Sequence, residues 1–195
     1  MRRSRHPSVG KAQPMKPRTF VLAAAICAFT MPVLAEYSLT PYAGQQTRTI
    51  KALSPEDIAG LLKGEGMGMA KAAELNGYPG PIHVLTLAQE LKLTASQRQQ
   101  VQTIFDRMSA AAKPLGADVI EREGLLDQLF ATGEVTPARL AAETAAIAEL
   151  QGRLRVVHLA AHLETRALLN PDQITLYQQL RGYGDPVAPM DHHHG

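Results

Sequence analysis

Residues 93–130 read LTASQRQQVQTIFDRMSAAAKPLGADVIEREGLLDQLF, and they contain the clearest structural signal of the chain. Thr94 is suited to cap a helix, Gln97 can bond back to the amide of the cap, and Leu93 can pack onto the following turn. Apolar side chains then recur every three or four residues, which is the period of one face of a helix. We expect one long amphipathic helix, with Pro114 as the point where it could kink. The apolar positions are Val101, Ile104, Phe105, Met108, Ala112, Leu115, Val119, Leu126 and Leu129.

A second stretch of the same kind follows a short turn at residues 131–135. Thr136 and Pro137 form a typical helix start, with a capping hydroxyl before a proline in the first turn. Two long amphipathic helices joined by a short turn pack antiparallel, so the sequence predicts a helical hairpin. The apolar positions of the second helix are Leu140, Ile147, Leu150, Leu154, Val157, Ala161 and Leu168.

Shorter helices are expected on both sides of this hairpin. The first begins at the Ser54 cap, continues through a glycine-containing stretch and stops at residues 76–81, where glycine and proline cluster. A second covers about residues 83–91, and a last one starts at the Asn170 cap and fades after Tyr183. No stretch has the alternating pattern of a β-strand, so the predicted fold class is all-α.

The first 35 residues have the order of a secretory signal peptide. They contain six basic residues and no acidic one, and an apolar run from Phe20 to Leu34 ends at Ala35. A basic segment, a short apolar segment and small residues before the cut are typical of such signals. We therefore expect export to the periplasm and cleavage after Ala35, with either Met1 or Met15 as the true start.

Loss of this segment changes the chemistry of the chain. It removes six basic residues and Cys27, the only cysteine, and leaves 14 Lys and Arg against 18 Asp and Glu. The expected mature chain is acidic, has no disulfide, and lacks the basic stripe that a nucleic acid requires. The expected organisation is a signal peptide over residues 1–35, a flexible arm over 36–52, a helical domain over 53–183 and a disordered, histidine-containing tail over 184–195.

Two short segments carry a resemblance to a known family. Leu93-Thr94-Ala95-Ser96-Gln97 and Leu169-Asn170-Pro171-Asp172-Gln173 each have a leucine, a capping residue and a glutamine three positions after the cap. Placed around a helical hairpin, this pair resembles the LTxxQ motifs of the Spy/CpxP and periplasmic heavy-metal-resistor superfamily. Asn170 stands where the motif has threonine, and it caps a helix equally well. Residues 66–81 and 158–163 are more similar to the heavy-metal-resistor branch.

The resemblance spans residues 53–183 and implies more than the pattern alone. It implies a cradle-like homodimer of hairpins that acts in envelope stress or metal stress. It also implies either ATP-independent binding of unfolded proteins or the sensing and sequestration of metal ions.

A pair of histidines on the second long helix is the first candidate for metal binding. His158 and His162 are four residues apart, so they lie one turn apart on the same face and can share a metal ion. A zinc protease signature needs a glutamate directly after the first histidine, and Leu159 stands there instead. The simpler interpretation, that both are ordinary histidines at the boundary of the apolar stripe, stays open on the spacing alone.

Two histidines do not complete a metal site, and three other residues are candidates for the missing ligands. His83 precedes the hairpin, and Glu90 follows it seven residues later on the expected short helix. Counting outward from the turn places Asp106 at the level of Ala161 on the opposite helix. Metal sensors of the resembled family draw ligands from the preceding helix and from both arms of the hairpin, as this set would.

The C-terminal residues are a further candidate. Met190 and Asp191 precede His192, His193 and His194, which together offer soft and borderline donors for a metal collector, although an artificial purification tag would give a similar run. Met67 and Met69 are interpreted as core residues rather than copper ligands, because flexible methionines beside glycines commonly fill gaps in a core.

The sequence contains no catalytic motif of the usual hydrolase or phosphate-binding types, so we expect no enzymatic activity and no organic cofactor. The leading hypothesis is a periplasmic stress protein that binds a divalent ion such as zinc, nickel, cobalt or copper. The alternative is a holdase chaperone that binds unfolded periplasmic proteins without metal. Docking on a membrane-bound regulator also stays open.

Overall fold

A computed structural model of the chain describes residues 40–183. Within this range the chain forms six α-helices and a short 3₁₀ turn, and it contains no β-strand. The predicted all-α fold, with two long helices packed against each other, is confirmed. No helix among these residues is long and apolar enough to cross a membrane. The turn spans Gln45–Thr47, and the helices are α1 (Pro55–Lys63), α2 (Lys71–Glu74), α3 (Pro81–Thr86), α4 (Ala95–Ala131), α5 (Pro137–Leu168) and α6 (Pro171–Leu180).

The hairpin of α4 and α5 is held by the two apolar stripes. Pro114 lies inside α4, and the helix continues through it. Burial of these side chains is the main favourable term for packing two helices together. The buried apolar residues are Val101, Ile104, Ala112, Leu115 and Val119 on α4, and Ile147, Leu154 and Ala161 on α5.

α1 packs directly onto α4 because a glycine leaves room for it. Gly116 faces the backbone of Leu61, and a Cβ at this position would collide with the Leu61 carbonyl group. Leu61 joins Ala112, Leu115 and Leu154 in one buried apolar cluster. The close approach of α1 therefore depends on the absence of a side chain at residue 116.

α3 and α6 close the other end of the hairpin. Val84 on α3 and Tyr177 on α6 pack with Leu91, Val101 and Leu169 in a second buried cluster. Tyr177 is only 1% exposed. This cluster surrounds the start of α4 and the end of α5.

The two capping motifs meet in this cluster through their glutamines. Thr94 and Asn170 each accept a hydrogen bond from the backbone N–H of the glutamine three residues later, and each glutamine accepts one back from the N–H of its cap. Gln97 Nε2 donates to Gln173 Oε1 over 2.9 Å, and Gln173 Nε2 donates to Gln97 Oε1 over 3.1 Å. Their remaining N–H groups donate to the carbonyls of Leu168 and of Leu91. Every donor of both amides is thus satisfied.

The short helices differ from the sequence-based expectation. The first one splits into α1 and α2, because Gly64 takes a left-handed conformation with φ of +69° and ends α1 at Lys63. α3 starts at Pro81 rather than residue 83 and ends at Thr86, since residues 87–92 form turns. These turns insert Leu91 into the core. α6 stops at Leu180.

The residues before α1 include a contact with the hairpin. Ile50 is buried, and its side chain lies against Gly124 of α4. The backbone N–H and the ammonium of Lys51 both donate to the carboxylate of Asp127. The part of the expected flexible arm that the structure describes, residues 40–52, is therefore attached to α4 at its end. The expected signal peptide and tail lie outside the described residues.

Candidate functional site

Three of the predicted histidines line one pocket. His158 and His162 reach it from α5, and His83 reaches it from α3. The pocket has a volume of about 230 Å³, and Met67, Met108 and Glu74 also line it. The structure therefore brings the imidazoles of two helices to a single place.

His158 is the most deeply buried of these donors. Its side chain is 3% exposed, and its Nε2 atom has no hydrogen-bond partner among the described residues. Burial, with a smaller contribution from His162, lowers the pKa of His158 below the ordinary value of 6.5. Gly66 lies over the ring, where an added Cβ would stand 3.5 Å from Nδ1. His158 is thus a neutral imidazole with an unused polar atom in a buried place, which is costly unless something binds it.

His162 is oriented by a backbone carbonyl. Its Nδ1 atom lies 2.7 Å from the carbonyl oxygen of Tyr78. Since a carbonyl oxygen can only accept, Nδ1 carries the proton, and the neutral ring keeps its lone pair at Nε2. A hydrogen bond of this kind is the usual way in which a metal-binding histidine is held. Gly80 provides the space for the ring, because a Cβ there would lie 3.1 Å from Nε2.

Glu74 forms the polar floor of the pocket, and no pattern in the sequence singles it out. Its carboxylate accepts from the hydroxyl of Tyr177 over 2.5 Å and from the N–H of Gly80 over 3.2 Å, and it pairs with Arg181 over 3.4 Å. Burial, reinforced by Glu74, raises the pKa of Tyr177. His162 Nδ1 is 3.7 Å from the same carboxylate. Glu74 therefore ties α2 to α6 and leaves little free capacity for a ligand.

His83 is the least fixed of the three histidines. It is half-buried, and burial lowers its pKa, with Arg181 and His162 adding to the effect and Glu74 opposing it. Its position follows from the proline that starts α3, two residues before it.

Two predicted ligands do not reach the pocket. Glu90 is exposed in the turns after α3, because this helix ends before it. Asp106 is exposed on α4, where it accepts a hydrogen bond from Gln102. His192, His193 and His194 lie outside the described residues. Across residues 40–183, no group of three His, Cys, Asp or Glu side chains is close enough to hold a metal ion.

The donors of the pocket fit a transition-metal ion in kind but not as a finished site. Imidazole and thioether groups suit borderline and soft ions, and the orphaned Nε2 of His158 is a free donor. The missing feature is a third histidine or carboxylate already in place. Binding by His158, His162 and His83 together would require these side chains to move closer to one another.

Comparison with known families agrees with the residues just described. The family model for heavy-metal resistance matches residues 69–175, which includes most of the pocket, the whole hairpin and both LTxxQ-like segments. No curated protein and no solved structure matches the chain. Because the matched region is more than half of the chain, the chain belongs to the heavy-metal-resistance family.

Proposed function

We propose that this chain is an exported heavy-metal-resistance protein that binds a transition-metal ion through His158 and His162, with His83 as the third imidazole. The observation that carries the proposal is the buried and unpartnered Nε2 of His158. It lies in the same pocket as two other imidazoles. A bound ion would use a polar atom that is otherwise buried at a cost of about 1–3 kcal/mol.

The protonation state of the pocket supports the same proposal. Burial lowers the pKa of His83 and of His158, so both rings are neutral at pH 7 and can offer a lone pair. Protons compete with a metal for these nitrogens. We expect the ion to be released as the pH falls below 6.5, the ordinary imidazole pKa, towards the lowered values.

The lowered pKa of His83 and of His158 also affects the stability of the metal-free protein. In the unfolded chain these imidazoles bind protons at their ordinary pKa, whereas in the folded chain they bind them only at a lower pH. The unfolded state therefore holds more protons in this window, and the stability of the metal-free protein falls as the pH drops through it. Full stability from this source is expected above the ordinary imidazole pKa.

The role in resistance follows from what the pocket residues can do. They hold an ion away from solvent, because His158 and His162 are both buried. Glu74 links the pocket to α6 through Tyr177 and Arg181. Sequestration needs only the burial of the ion, whereas sensing would use the link from Glu74 to α6. We expect either to operate in the periplasm, in a homodimer.

Calorimetric titration with zinc, nickel, cobalt and copper tests the proposal. The starting protein carries alanine at His192, His193 and His194, so that the tail cannot bind metal. We expect His158→Ala and His162→Ala each to remove the remaining site. Asp106→Asn is the matched control, since this carboxylate is exposed outside the pocket, and it should bind like the starting protein. Unchanged stoichiometry and affinity in both histidine variants would refute the proposal.

A second candidate function is the metal-independent holdase, and one observation favours it. Leu125, Phe130 and Leu140 are large apolar side chains that are 39%, 57% and 40% exposed near the turn of the hairpin. Exposed apolar groups of this kind can bind unfolded chains. Metal-free protein should then suppress the aggregation of a denatured client, and the triple change to serine should abolish this effect. Suppression that is unaffected by the change would exclude this surface.

A further inference from the structure

Two methionines that the histidine-based proposal does not use also line the pocket. Met67 lines it from the loop between α1 and α2, with its sulfur against Gly60 of α1, and Met108 lines it from α4. The sequence pattern favours a core role for Met67, yet its side chain is 42% exposed. Met69, two residues later, is half-buried against the cluster around Leu61, as a core methionine should be. The two neighbouring methionines therefore have different environments.

The backbone at Met67 is strained. Its φ is +44°, in the left-handed region that side chains other than glycine seldom adopt. Gly66 precedes it and lies against the ring of His158. Gly68 follows it with a φ of +81°. Strain of this type concentrates at binding sites, where a side chain is held in an unusual direction for a purpose. Here the strained residue is a methionine that lines the edge of the imidazole pocket.

Charge and ligand type together limit which ion the pocket suits. Imidazole and thioether groups carry no charge when they act as metal ligands, and the carboxylate of Glu74 already interacts with Tyr177, Gly80 and Arg181. The cost of burying an ion grows with the square of its charge, so a divalent ion would have little compensation here. Structural zinc sites also need a closed shell of four ligands, whereas no three histidines or carboxylates converge among residues 40–183. Thioethers prefer soft ions, of which Cu(I) is the common biological case.

We propose that the pocket takes a soft monovalent ion, Cu(I) or its analogue Ag(I), and that the thioethers of Met67 and Met108 join the imidazoles of His158 and His162 as its ligands. This inference rests on the proposed function, since it assigns the ion class and two further ligands to the same pocket. It also explains why the third donor is missing from the histidines and carboxylates. The sulfur atoms would supply it once the exposed Met67 side chain turns from Gly60 towards the imidazoles.

The test compares Cu(I) and zinc on the tail-alanine protein and on leucine variants. Met67→Leu and Met108→Leu keep the volume of the side chain and remove only the sulfur. Cu(I) affinity is measured under reducing conditions by competition with a chromophoric chelator, and zinc affinity by calorimetry. Loss of an outer-shell partner already costs about 10–100-fold in metal affinity, so we expect each variant to lose at least that much Cu(I) affinity while its zinc affinity is unchanged. Met69→Leu, whose residue lies outside this pocket, should match the starting protein.

X-ray absorption gives a second readout. The Cu(I) or Ag(I) complex should show sulfur scatterers beside nitrogen, and the number of sulfurs should fall in each leucine variant. Cu(I) affinity that is unchanged in both variants, or a spectrum without sulfur, would overturn the inference. Equal loss of zinc and Cu(I) in Met67→Leu would also overturn it, since that result means the loop only shapes the pocket.

Failure of the proposed function has a different signature. If His158→Ala binds every ion as well as the starting protein, the pocket is not the metal site and both ideas fall. If His158→Ala loses metal while both methionine variants bind Cu(I) normally, only the sulfur ligands are excluded.

Discussion

The two ends of the hairpin use the same helices in different ways. In the base, defined as residues 95–119 and 147–168, both helices contribute buried side chains. In the tip, residues 120–146, no side chain is buried. The base is covered by α1, α2, α3 and α6, whereas the tip receives only the stretch around Ile50 among the described residues. Amphipathic helices are therefore not sufficient to make a core, because a third layer has to close it.

The base and the tip also differ in the kind of binding that each could support. The imidazole pocket lies in the base, where glycines and a backbone carbonyl fix its two buried rings. The three apolar side chains considered for binding unfolded chains, Leu125, Phe130 and Leu140, are exposed in the tip. A metal site needs donors fixed in place, and a surface for unfolded chains tolerates freedom. The following variants test whether base and tip differ in the way that this contrast requires.

The largest expected effect comes from removing an aromatic ring at each end. Tyr177→Ala opens a cavity in the base cluster and leaves Glu74 without its hydroxyl donor, so we expect a loss of about 3–5 kcal/mol in the free energy of unfolding. Phe130→Ala removes a ring that is 57% exposed in the tip and should change stability by less than about 0.5 kcal/mol. Urea denaturation measures both. Equal losses would mean that the tip is packed as firmly as the base.

Two glycines of α4 give the next contrast. Gly116→Ala in the base forces a Cβ against the Leu61 carbonyl, and overpacking of this kind costs about 1–3 kcal/mol. Gly124→Ala in the tip places a Cβ 3.6 Å from the Ile50 side chain, an ordinary contact, and should stabilise the helix by about 0.5–1 kcal/mol. Thermal unfolding of the two variants should shift in opposite directions. A gain for Gly116→Ala would show that α1 does not approach α4 closely.

Much of this fold could be predicted because its main signals are local. The caps and the helical spacing of α4 and α5 lie within each helix, so one sequence is enough to place both. The short helices depend on other parts of the molecule. α3 ends where it does because the following turns insert Leu91 between α4 and α6, and no local pattern encodes that contact.

The residues of the candidate site also differ in whether local sequence is enough to identify them. His158 and His162 form a local pair, one turn apart, and can be recognised from their spacing. Glu74 acquires its role from Tyr177, which is 103 residues away. Counting along the hairpin gives Asp106 its level, and the helical spacing of α4 already places it away from the apolar stripe, in agreement with its exposure in the structure. The exposure of Met67 cannot be predicted from its neighbours in sequence, because its strained backbone depends on folded contacts.

The glutamine pair at the base tests whether the two capping motifs act as one unit. Gln97→Ala and Gln173→Ala each remove a cap contact and also leave the other amide short of a partner. In a double-mutant cycle we expect a coupling energy of about 1 kcal/mol, within the range for residues that share a network. Gln128, exposed on α4 in the tip, is the control. The effect of Gln128→Ala on the free energy of unfolding should simply add to that of Gln97→Ala or Gln173→Ala. A coupling near zero would mean that each motif only caps its own helix.

The smallest effect is expected at an ion pair in the tip. Arg122 and Glu143 join α4 to α5 there over 3.2 Å, with side chains that are 44% and 20% exposed. Because water and salt screen such a pair, Glu143→Gln should cost less than about 0.5 kcal/mol, and about 1 M salt should remove the difference. Glu74→Gln in the base makes the matched comparison. The Glu74 side chain is 11% exposed and is paired with Arg181. The loss of stability in Glu74→Gln should therefore be larger than in Glu143→Gln and should persist in salt. If salt erases both losses equally, the polar floor of the pocket is as open to solvent as the tip.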